Sequence, residues 1–308
     1  HDVQYKTSQQ RAEETVFIDY CAFTYEVKGT NDPEVAISRA AQMLKTFLPH
    51  LEIEMRGKGF HGFYESAILL IDGVASGLIA SGSSTHRRTY VEMTGLACGF
   101  VNFKAFGQML FDLKARLSRV DTALDFFNSK YDPQAIRQAY IRGEFKNRGQ
   151  NPSSSMAGPW DDKARWGAGL TYYIGNRKNG KLFRCYHKGR EQGDPASNWV
   201  RMEVELRRTG NTEYIPFKIL MNPEQFFVGA FPWLSRFQNV VAAKVDRVKK
   251  AAKITFDHLV HYAKQSYGPL IAVMQSIGMT SEEIQKKLIQ PDKVPRRLLL
   301  CSVAYGTQ

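Results

Sequence analysis

The sequence predicts an α+β fold: a duplicated β-α-β-β-β-α unit with largely antiparallel, curved sheets, followed by a helical C-terminal region. Two observations carry this prediction. Runs of β-branched and aromatic residues alternate with helical segments in the same order twice, over residues 16–117 and again over residues 118–230. From about residue 231 onward the spacing of apolar residues is helical. We therefore expect three regions, with bounds 1–114, 115–230 and 231–308.

The first unit begins with a β-branched and aromatic strand at residues 16–27. Asp32 and Pro33 then start a helix that runs to about Leu48, because aspartate is a favoured N-cap and proline a favoured first helical residue. Short strands follow near residues 67–71, 77–80 and 89–93, separated by glycine and serine. Residues 102–117 have helical spacing and close the unit.

The second unit repeats this order. Residues 118–127 form a strand, and Asp132 and Pro133 open a helix to about Gly143. Residues 146–163 are polar and indicate a loop. Three strands follow near residues 169–174, 181–187 and 199–208, and a helix begins at about Ile215.

The chain is basic, with 42 Lys+Arg against 30 Asp+Glu in 308 residues and a formal net charge of +12. An apolar content of 43% excludes a disordered or fibrous chain. The charge favours a polyanion such as nucleic acid as partner, although charge that only aids solubility is the plainer alternative. No apolar run approaches the roughly 18 residues that span a bilayer. The four cysteines form no CxxC pair, which favours neither disulfides nor zinc and indicates a reducing, cytoplasmic location.

Three strands of the second unit place charged side chains on one face, because side chains alternate along a strand. The residues of this face are Arg119, Asp121 and Asp125; Arg184, Tyr186 and Lys188; and Arg201, Glu203, Glu205 and Arg207. If the strands pair, the face gathers four carboxylates, which are ligands that suit Mg²⁺ or Mn²⁺. A solvated face crossed by salt bridges would give the same alternation.

Tyr186 is the candidate nucleophile of this face. A tyrosine with its ordinary pKa of about 10 attacks poorly at neutral pH, so nearby cations or a metal must stabilise the phenolate and the charge on an attacked phosphate. Arg184 and Lys188 lie two positions to either side of Tyr186 and share its face. A basic turn at residues 176–181 precedes the strand, and its charges suit phosphate contacts.

The ordered motifs of the chain resemble one family. They are RVDTALDF at 119–126, YIGNRK at 173–178, FRCYHK at 183–188 and WVRMEVELR at 199–207, with FIDYCAFT at 17–24 and YVEMTGLAC at 90–98. Over about residues 15–210 the chain is similar to the Rep-trans replication initiation factors of filamentous phages and rolling-circle plasmids. Some conjugative-element relaxases are related to this family.

The resemblance implies a metal-dependent nicking-closing endonuclease. In such proteins a tyrosine attacks a phosphodiester at the origin and becomes linked to the 5′-phosphate, and the freed 3′-OH primes replication. By this resemblance the nucleophile is Tyr186, and Lys188 and Arg184 assist at the phosphate. The implied ligands of Mg²⁺ or Mn²⁺ are Asp121, Glu203, Glu205 and Asp125. Arg177, Lys178, Lys181 and Arg201 are the expected DNA-binding cations.

Several alternatives stay open within this interpretation. Tyr172 and Tyr173 are competing nucleophiles, one of which shares the active face. Strand alternation places His187 on the opposite face, so we assign it no catalytic role. In the first unit Asp19 and Glu92 roughly echo Asp121 and Glu203, but no tyrosine strand matches. That unit is interpreted as a non-catalytic copy that grips duplex DNA.

The expected partners are origin DNA, as duplex with a locally single-stranded nick site, and, by the resemblance, a host helicase and a second copy of the chain. No membrane partner is expected. The main alternative is a non-catalytic origin-binding or repressor protein, which needs the basic surface but neither Tyr186 nor the carboxylates. A tyrosine recombinase or type IB topoisomerase would carry an Arg…His-x-x-Arg arrangement before its tyrosine, and none precedes Tyr186.

Overall fold

The computed structural model describes residues 16–48, 50–85, 87–127, 131–160, 169–209, 215–237 and 251–289. The strands within these residues are β1 (Phe17–Glu26), β2 (Leu51–Met55), β3 (Glu65–Ile71), β4 (Val74–Ser81), β5 (Arg88–Met93), β6 (Arg116–Phe126), β7 (Ser154–Ala157), β8 (Thr171–Asn176), β9 (Lys181–His187) and β10 (Val200–Arg207). The α-helices are α1 (Pro33–Lys45), α2 (Gly95–Cys98), α3 (Phe103–Asp112), α4 (Pro133–Ile141), α5 (Lys188–Glu191), α6 (Lys218–Met221), α7 (Pro223–Ala230), α8 (Ala251–Ser276) and α9 (Ser281–Leu288). Two 3₁₀ turns lie at Arg177–Asn179 and Pro232–Phe237.

All ten of these strands form one sheet, in the order β2-β3-β4-β5-β1-β6-β10-β9-β8-β7, and each neighbouring pair is antiparallel. The predicted α+β class with antiparallel strands is confirmed. The two halves are joined through β1 and β6, so a single sheet runs through both.

Read inward from its two edges, the sheet has the same strand order in both halves: β2-β3-β4-β5-β1 and β7-β8-β9-β10-β6. In each half the helix after the first strand starts at an Asp-Pro pair. Asp32 accepts a hydrogen bond from the Glu34 N–H at 2.9 Å, and Asp132 accepts one from the Ala135 N–H at 2.6 Å. These parallels support the predicted duplication, which stays a prediction at the level of the repeated unit.

Each half contains five strands, whereas the predicted unit contains four. The missing strands are the two edge strands, β2 and β7, and β7 lies inside the predicted loop at residues 146–163. The helix predicted over residues 102–117 is also shorter, because α3 ends at Asp112. Lys114 adopts a positive φ of 51° there, and the Ala115 N–H bonds back to the Leu110 carbonyl, which closes the helix before β6 begins.

The helices cover one face of the sheet and leave the other to the polar residues. In the first half Phe23, Leu69 and Val91 point from their strands into a core shared with α1 and α3. In the second half Phe183 and Met202 point into a core shared with α4 and α7. The opposite face of β6, β9 and β10 therefore carries the alternate, charged positions.

The described part of the C-terminal region is helical, as predicted. A capping box between Thr280 and Glu283 starts α9. Residues 238–250, which include most of the alanine- and lysine-rich segment at 242–253, lie outside the described residues. None of the described helices is long and apolar enough to cross a membrane. Cys21, Cys98 and Cys185 are buried free thiols.

Candidate active site

The pairing register brings the charged residues of β6, β9 and β10 together on one face. Glu205 lies opposite Asp121 on β6, and Glu203 lies opposite Arg184 on β9. Tyr186 is opposite Arg201 in the same ladder. The shared polar face predicted from strand alternation is confirmed by this register.

Tyr186 is the buried tyrosine of this face, with 9% of its surface exposed. Its hydroxyl donates a hydrogen bond to Glu203 Oε2 at 3.2 Å. The Arg184 guanidinium carbon and the Lys188 ammonium each lie 5.7 Å from the ring centroid. Burial and the neighbouring Glu203 carboxylate raise the pKa of Tyr186 above its usual range, so the hydroxyl is protonated in this conformation.

Asp121, Glu203 and Glu205 are almost completely buried, and each is compensated by arginine. Arg184 bonds Glu203 and comes within 3.6 Å of Asp121. Arg119 binds both oxygens of Asp121, with Nε to Oδ1 at 2.8 Å, and lies 3.3 Å from Glu205. These contacts pair the buried charges of Glu203 and Glu205 and supply hydrogen-bond donors to Asp121.

The pKa values of Asp121 and Glu203 are shifted in opposite directions although the two carboxyl groups are neighbours. Burial and the adjacent Glu203 carboxylate raise the pKa of Asp121 to about 8, against the lowering effect of Arg119. Burial acts in the same sense on Glu203, but the charge and hydrogen bond of Arg184 outweigh it and hold that pKa below its usual range. Arg184 therefore keeps Glu203 ionised next to a carboxyl that retains its proton.

Glu205 is held by Arg177 and Arg207 in addition to Arg119. Arg177 Nε lies 3.0 Å from Glu205 Oε1, and Arg207 bonds the same oxygen. Burial would raise the pKa of Glu205, but the hydrogen bond from Arg207 and the charge of Arg119 lower it. Glu205 is thus a paired anion at the end of the polar face near the turn at Arg177–Asn179.

Asp125 belongs to a different cluster from the other predicted metal ligands. Arg201 Nε and Nη2 donate to its two oxygens at 2.7 and 2.8 Å, and Nη1 donates to Asp19 Oδ1 at 2.9 Å. Arg201 is 4% exposed, and its guanidinium lies over the rings of Phe17 and Trp199. In this conformation Arg201 links the two halves of the sheet and is turned away from solvent.

The other predicted DNA-binding cations differ in their exposure and in the face of the sheet on which they lie. Lys178 is exposed in the turn before β9, and the Arg177 side chain is 51% exposed while it contacts Glu205. Lys181 lies on the helix-covered face, where it bonds the Ala230 carbonyl and its ammonium sits 4.6 Å from the Phe231 ring centroid. Lys188 pairs with Glu191 at 2.7 Å at the rim of the site.

The competing tyrosines and His187 divide between the two faces. Tyr173 lies opposite Arg184 and shares the face of Tyr186, whereas Tyr172 is 3% exposed in the core and its hydroxyl donates to Ser154 Oγ at 3.2 Å. His187 points to the helix-covered side, where its Nδ1 accepts the Leu170 N–H at 3.1 Å. Burial and Arg190 lower the pKa of His187 to about 4.

Residues of the first half complete the site, and the sequence interpretation missed most of them. Tyr20 lies opposite Asp121, its ring stacks under the Arg119 guanidinium at 4.0 Å, and its hydroxyl donates to Glu92 at 2.5 Å. Tyr90 donates to the same Glu92 oxygen at 2.7 Å. Arg119 bridges Asp121 and Glu205. Its position two residues before Asp121, on the same face of the strand, is the sequence feature from which this contact could have been predicted.

The register also corrects the predicted echo between the halves. Glu92 lies opposite Ala22 as Glu203 lies opposite Ala123, so Glu92 does correspond to Glu203. Tyr20 precedes Ala22 by two residues on β1, and Asp121 precedes Ala123 by two residues on β6. Tyr20, and not Asp19, therefore corresponds to Asp121. Ala80 occupies the place of Tyr186, because it pairs with Tyr90 as Tyr186 pairs with Arg201.

The sequence profile of Rep_trans, described as replication initiation factor, matches residues 115–289. The chain belongs to this family. The match begins next to the first residue of β6 and covers the whole polar face of the second half. No curated protein matches the chain.

A solved structure shares the fold of this Rep_trans member. It is the rolling circle replication initiator protein from Geobacillus stearothermophilus, with a TM-score of 0.56 and 16% sequence identity. The likeness covers 74% of this chain and 97% of that chain. At this identity the comparison shows the fold, a mixed helical and antiparallel sheet architecture.

The predicted metal ligands do not form a metal site in this conformation. Across the described ranges, from residue 16 to residue 289 with their gaps, no group of three or more His, Cys, Asp or Glu side chains is arranged to hold an ion. Guanidinium groups occupy Asp121, Glu203 and Glu205 instead, and Asp125 is bound to Arg201. The donor atoms suit Mg²⁺ or Mn²⁺, but arginine holds them.

Proposed function

We propose that this replication initiation factor binds its origin and nicks one DNA strand with Tyr186 as the nucleophile, in rolling-circle replication. The observation that carries the proposal is the hydrogen bond from the Tyr186 hydroxyl to Glu203 at 3.2 Å, on a sheet face where Arg184 and Lys188 flank the ring. Membership of the family supports the initiation role.

The proposed step is a transesterification. Tyr186 Oη attacks the scissile phosphorus and forms the tyrosyl–phosphate bond, while the bond from phosphorus to the 3′-oxygen breaks. The phenolic proton passes to Glu203, its hydrogen-bond acceptor. The leaving 3′-oxygen takes a proton from Lys188 or solvent and becomes the free 3′-OH. Attack by a 3′-OH on the tyrosyl phosphate reverses the sequence and rejoins the strand.

The charge on the attacked phosphate requires cations at this face. Arg184 is 24% exposed at its side chain and lies beside the Tyr186 ring, so its guanidinium is the nearest donor to an incoming phosphate. Lys188 is at the rim, where its pairing with Glu191 is solvent-accessible and therefore weak. Arg177 and Lys178 extend the positive surface along the turn before β9 and would contact neighbouring phosphates.

The divalent metal implied by the resemblance is part of this proposal only as a cofactor to be tested. Because Asp121, Glu203 and Glu205 are occupied by arginine in the described conformation, we derive no step through an ion. The nicking assay is therefore run with Mg²⁺, with Mn²⁺ and with a chelator.

The N-terminal half is proposed to grip the duplex beside the nick site. Its β2–β3 loop lies against the β4–β5 turn, since the Tyr64 N–H donates to the Gly82 carbonyl at 2.8 Å. Arg56, Lys58 and Arg87 belong to these two segments, and Tyr64, in the β2–β3 loop, is 57% exposed. Cations and an exposed aromatic ring on adjoining loops suit phosphate contact and base stacking.

Surface substitutions test this role better than removal of the N-terminal half, because β1 pairs along β6 and its loss would uncover the strand that carries Asp121. The test variant changes Arg56, Lys58 and Arg87 to Gln. The matched control changes three exposed lysines of the helix-covered side to Gln: Lys45, Lys104 and Lys218. We expect only the first variant to lose duplex origin binding while it still cuts a single-stranded oligonucleotide. Equal loss in both variants would reject the proposed surface.

The nicking test uses a supercoiled plasmid that carries the origin of the element encoding this chain. We expect nicked circles with protein attached at the 5′ end, and their loss in Tyr186→Phe. Tyr173→Phe is the matched control, because it removes a tyrosine hydroxyl from the same face of the neighbouring strand, where Tyr173 lies opposite Arg184. A Tyr186→Phe protein that nicks at the wild-type rate would reject the nucleophile.

A non-catalytic origin-binding protein is the second candidate function. It is favoured by one observation: arginine neutralises every carboxylate of the polar face, as in a purely structural charged sheet. Specific origin binding without nicking under any metal condition would support it. The helicase and homodimer partners stay predictions from the resemblance.

A further inference from the structure

We propose that the tip of the β2–β3 loop reads a base pair of duplex origin DNA, with His61 as the specificity-determining residue. The tip is the turn Phe60–Phe63. The inference rests on the proposed function, in which the cations of this loop grip the duplex, and it adds the group that recognises sequence. Phosphate contacts position a protein on DNA, whereas contacts to base edges select the sequence.

The turn at the tip has the geometry of a two-residue β-hairpin. The Phe63 N–H donates to the Phe60 carbonyl at 3.0 Å, and the Phe60 N–H donates to the Phe63 carbonyl at 3.1 Å. The two central residues, His61 and Gly62, have positive φ values of 49° and 84°, as a type I′ turn requires. The tip is therefore a narrow ribbon that ends in a single side chain, that of His61. The major groove of B-DNA admits a two-stranded ribbon.

The base of the tip is packed onto the sheet, so the turn is held in place. Phe63 forms a small apolar cluster with Leu78 and Ala80, and Phe60 packs against this cluster. Both phenylalanine rings contact Tyr90, with centroid distances of 6.1 Å from Phe63 and 5.9 Å from Phe60. Because the turn is already ordered, DNA binding avoids the entropy loss of fixing a loop.

His61 is the exposed residue that this packed turn presents. Its ring lies against the Phe60 ring, with the two centroids 4.1 Å apart, so the neighbouring side chain restricts its movement. An imidazole carries both a hydrogen-bond donor and an acceptor in its neutral form. Base edges in the major groove present both kinds of partner, in a pattern that differs for each base pair.

The tip stands on the same face of the sheet as Tyr186. Ile79 and Val91 point into the core that the helices cover, so their neighbours Ala80 and Tyr90 point to the opposite face. Ala80 is the residue that corresponds to Tyr186. The loop therefore packs onto the first half at the place where the second half carries its candidate nucleophile.

One duplex can reach both the tip and the candidate nucleophile. The strands that carry Ala80 and Tyr186, β4 and β9, are five strand spacings apart in the sheet order. At about 4.8 Å per spacing, this is about 24 Å along the sheet. B-DNA covers that length in about seven base pairs. The base pair that His61 reads is therefore expected within about seven base pairs of the nick site.

The charge around His61 matches a nucleic acid. The β2–β3 loop contains Arg56 and Lys58 and no acidic residue, and the β4–β5 turn contains Arg87 and no acidic residue. Lys58 and Arg87 are exposed. Cations on both sides of the tip would hold the phosphates that border a groove while the tip enters it.

The test measures the affinity of the full chain for duplexes that carry the origin, by fluorescence anisotropy at one salt concentration. Each duplex has one base pair changed, within about seven base pairs on either side of the nick site. All proteins carry Tyr186→Phe, so that no cleavage occurs. Changing the base pair that is read should weaken binding by about fivefold or more. His61→Gly removes the side chain and suits the positive φ of this position, and we expect it to bind that duplex and the unchanged origin equally.

His50→Gly is the matched control, because His50 is also exposed, has a positive φ of 55° and lies at the other end of β2. We expect it to keep the sensitivity to every base-pair change. The variant with Arg56, Lys58 and Arg87 changed to Gln should bind all duplexes more weakly by a similar factor and keep the sensitivity. Circular dichroism and thermal unfolding establish that each variant is folded.

Two results would overturn the base contact. One is a folded His61→Gly protein that responds to every base-pair change as its parent does. The other is a loss of affinity in His61→Gly by the same factor for all duplexes, which is the mark of a phosphate contact. The triple Gln variant tests the proposed function separately: if it binds the origin as tightly as the parent, the duplex grip itself fails.

Discussion

Tyr20 and Asp121 face each other where the two halves of the sheet meet, so a tyrosine of β1 stands at the position that a carboxylate holds on β6. The Tyr20 ring supports Arg119, and Arg119 holds Asp121. The first half thus supplies part of the scaffold of the candidate site. It supplies no nucleophile, because Ala80 takes the place that corresponds to Tyr186.

The hydrogen bond from Tyr20 to Glu92 is expected to stabilise the fold. Tyr20→Phe keeps the ring under Arg119 but removes a 2.5 Å bond to a carboxylate that Tyr90 also binds. We expect a loss of about 1–2 kcal/mol in the free energy of unfolding, measured in urea. Tyr25→Phe, in the apolar core of the same strand, is the control. Equal effects of the two changes would contradict the prediction.

Arg201 is expected to be essential for stability. Its removal leaves Asp125 buried and Asp19 partly buried without their cation. We expect Arg201→Met to cost about 3–5 kcal/mol in the free energy of unfolding. Arg142→Met, which breaks an exposed pair with Glu144, should cost about 1 kcal/mol or less. A small effect of Arg201→Met would mean that the pairing seen here does not hold the halves together.

The two Asp-Pro helix starts make a matched prediction. Asp32→Ala and Asp132→Ala each remove a side-chain acceptor at a helix N-terminus, and we expect each to cost about 1 kcal/mol in thermal or urea unfolding. Asparagine at either position keeps an acceptor oxygen and should cost far less. An effect at one site only would contradict equivalent roles of α1 and α4.

The raised pKa of Asp121 predicts a pH dependence. Between an ordinary aspartate pKa of about 4 and the folded pKa of about 8, the folded protein keeps a proton that the unfolded chain has released. Stability from this group is therefore present at low pH and is lost as pH rises through 8. His187, with its pKa lowered to about 4, contributes in the opposite direction as the unfolded histidine loses its proton at about pH 6.5. This contribution is the same in the wild type and in Asp121→Asn, so it cancels in their comparison.

The measurement is urea unfolding at several pH values from about 6.5 to 8, with a chelator present. We expect the stability of the wild type to fall across this window relative to Asp121→Asn, by up to about 1.4 kcal/mol per pH unit. Parallel curves for the two proteins would show that Asp121 is already ionised in the folded chain.

Strand alternation was enough to predict which residues share the polar face. In β10 the apolar residues alternate strictly with the charged ones: Val200, Met202 and Val204 against Arg201, Glu203 and Glu205. This alternation predicted which side chains face the core, and the register confirms it. The edge strand β7 was missed because all of its residues are exposed and no apolar alternation marks them. The edge strand β2 does alternate, with Leu51, Ile53 and Met55 separated by two glutamates, and it was missed because it is only five residues long. Helix ends with a positive φ, such as the end of α3 at Lys114, carry no such pattern either.

Pairwise contacts across the sheet could not be predicted, because alternation gives a face and not a register. The sequence showed Asp125 and Glu203 on one face, but only the pairing reveals that Arg201 binds the first and Arg184 the second. In the same way, Lys181 was grouped with the turn cations, although its place at the start of β9 directs it to the helix-covered side.

Mapping the covalent DNA adduct tests the central claim most directly. After reaction with a nick-site oligonucleotide, trypsin releases Tyr186 in the peptide 185–188, whereas Tyr172 and Tyr173 lie together in the peptide 166–177. We predict that mass spectrometry finds the nucleotide, joined through its 5′-phosphate, on the 185–188 peptide. An adduct on the 166–177 peptide, or none in a reaction that produces nicked DNA, would contradict Tyr186 as the nucleophile.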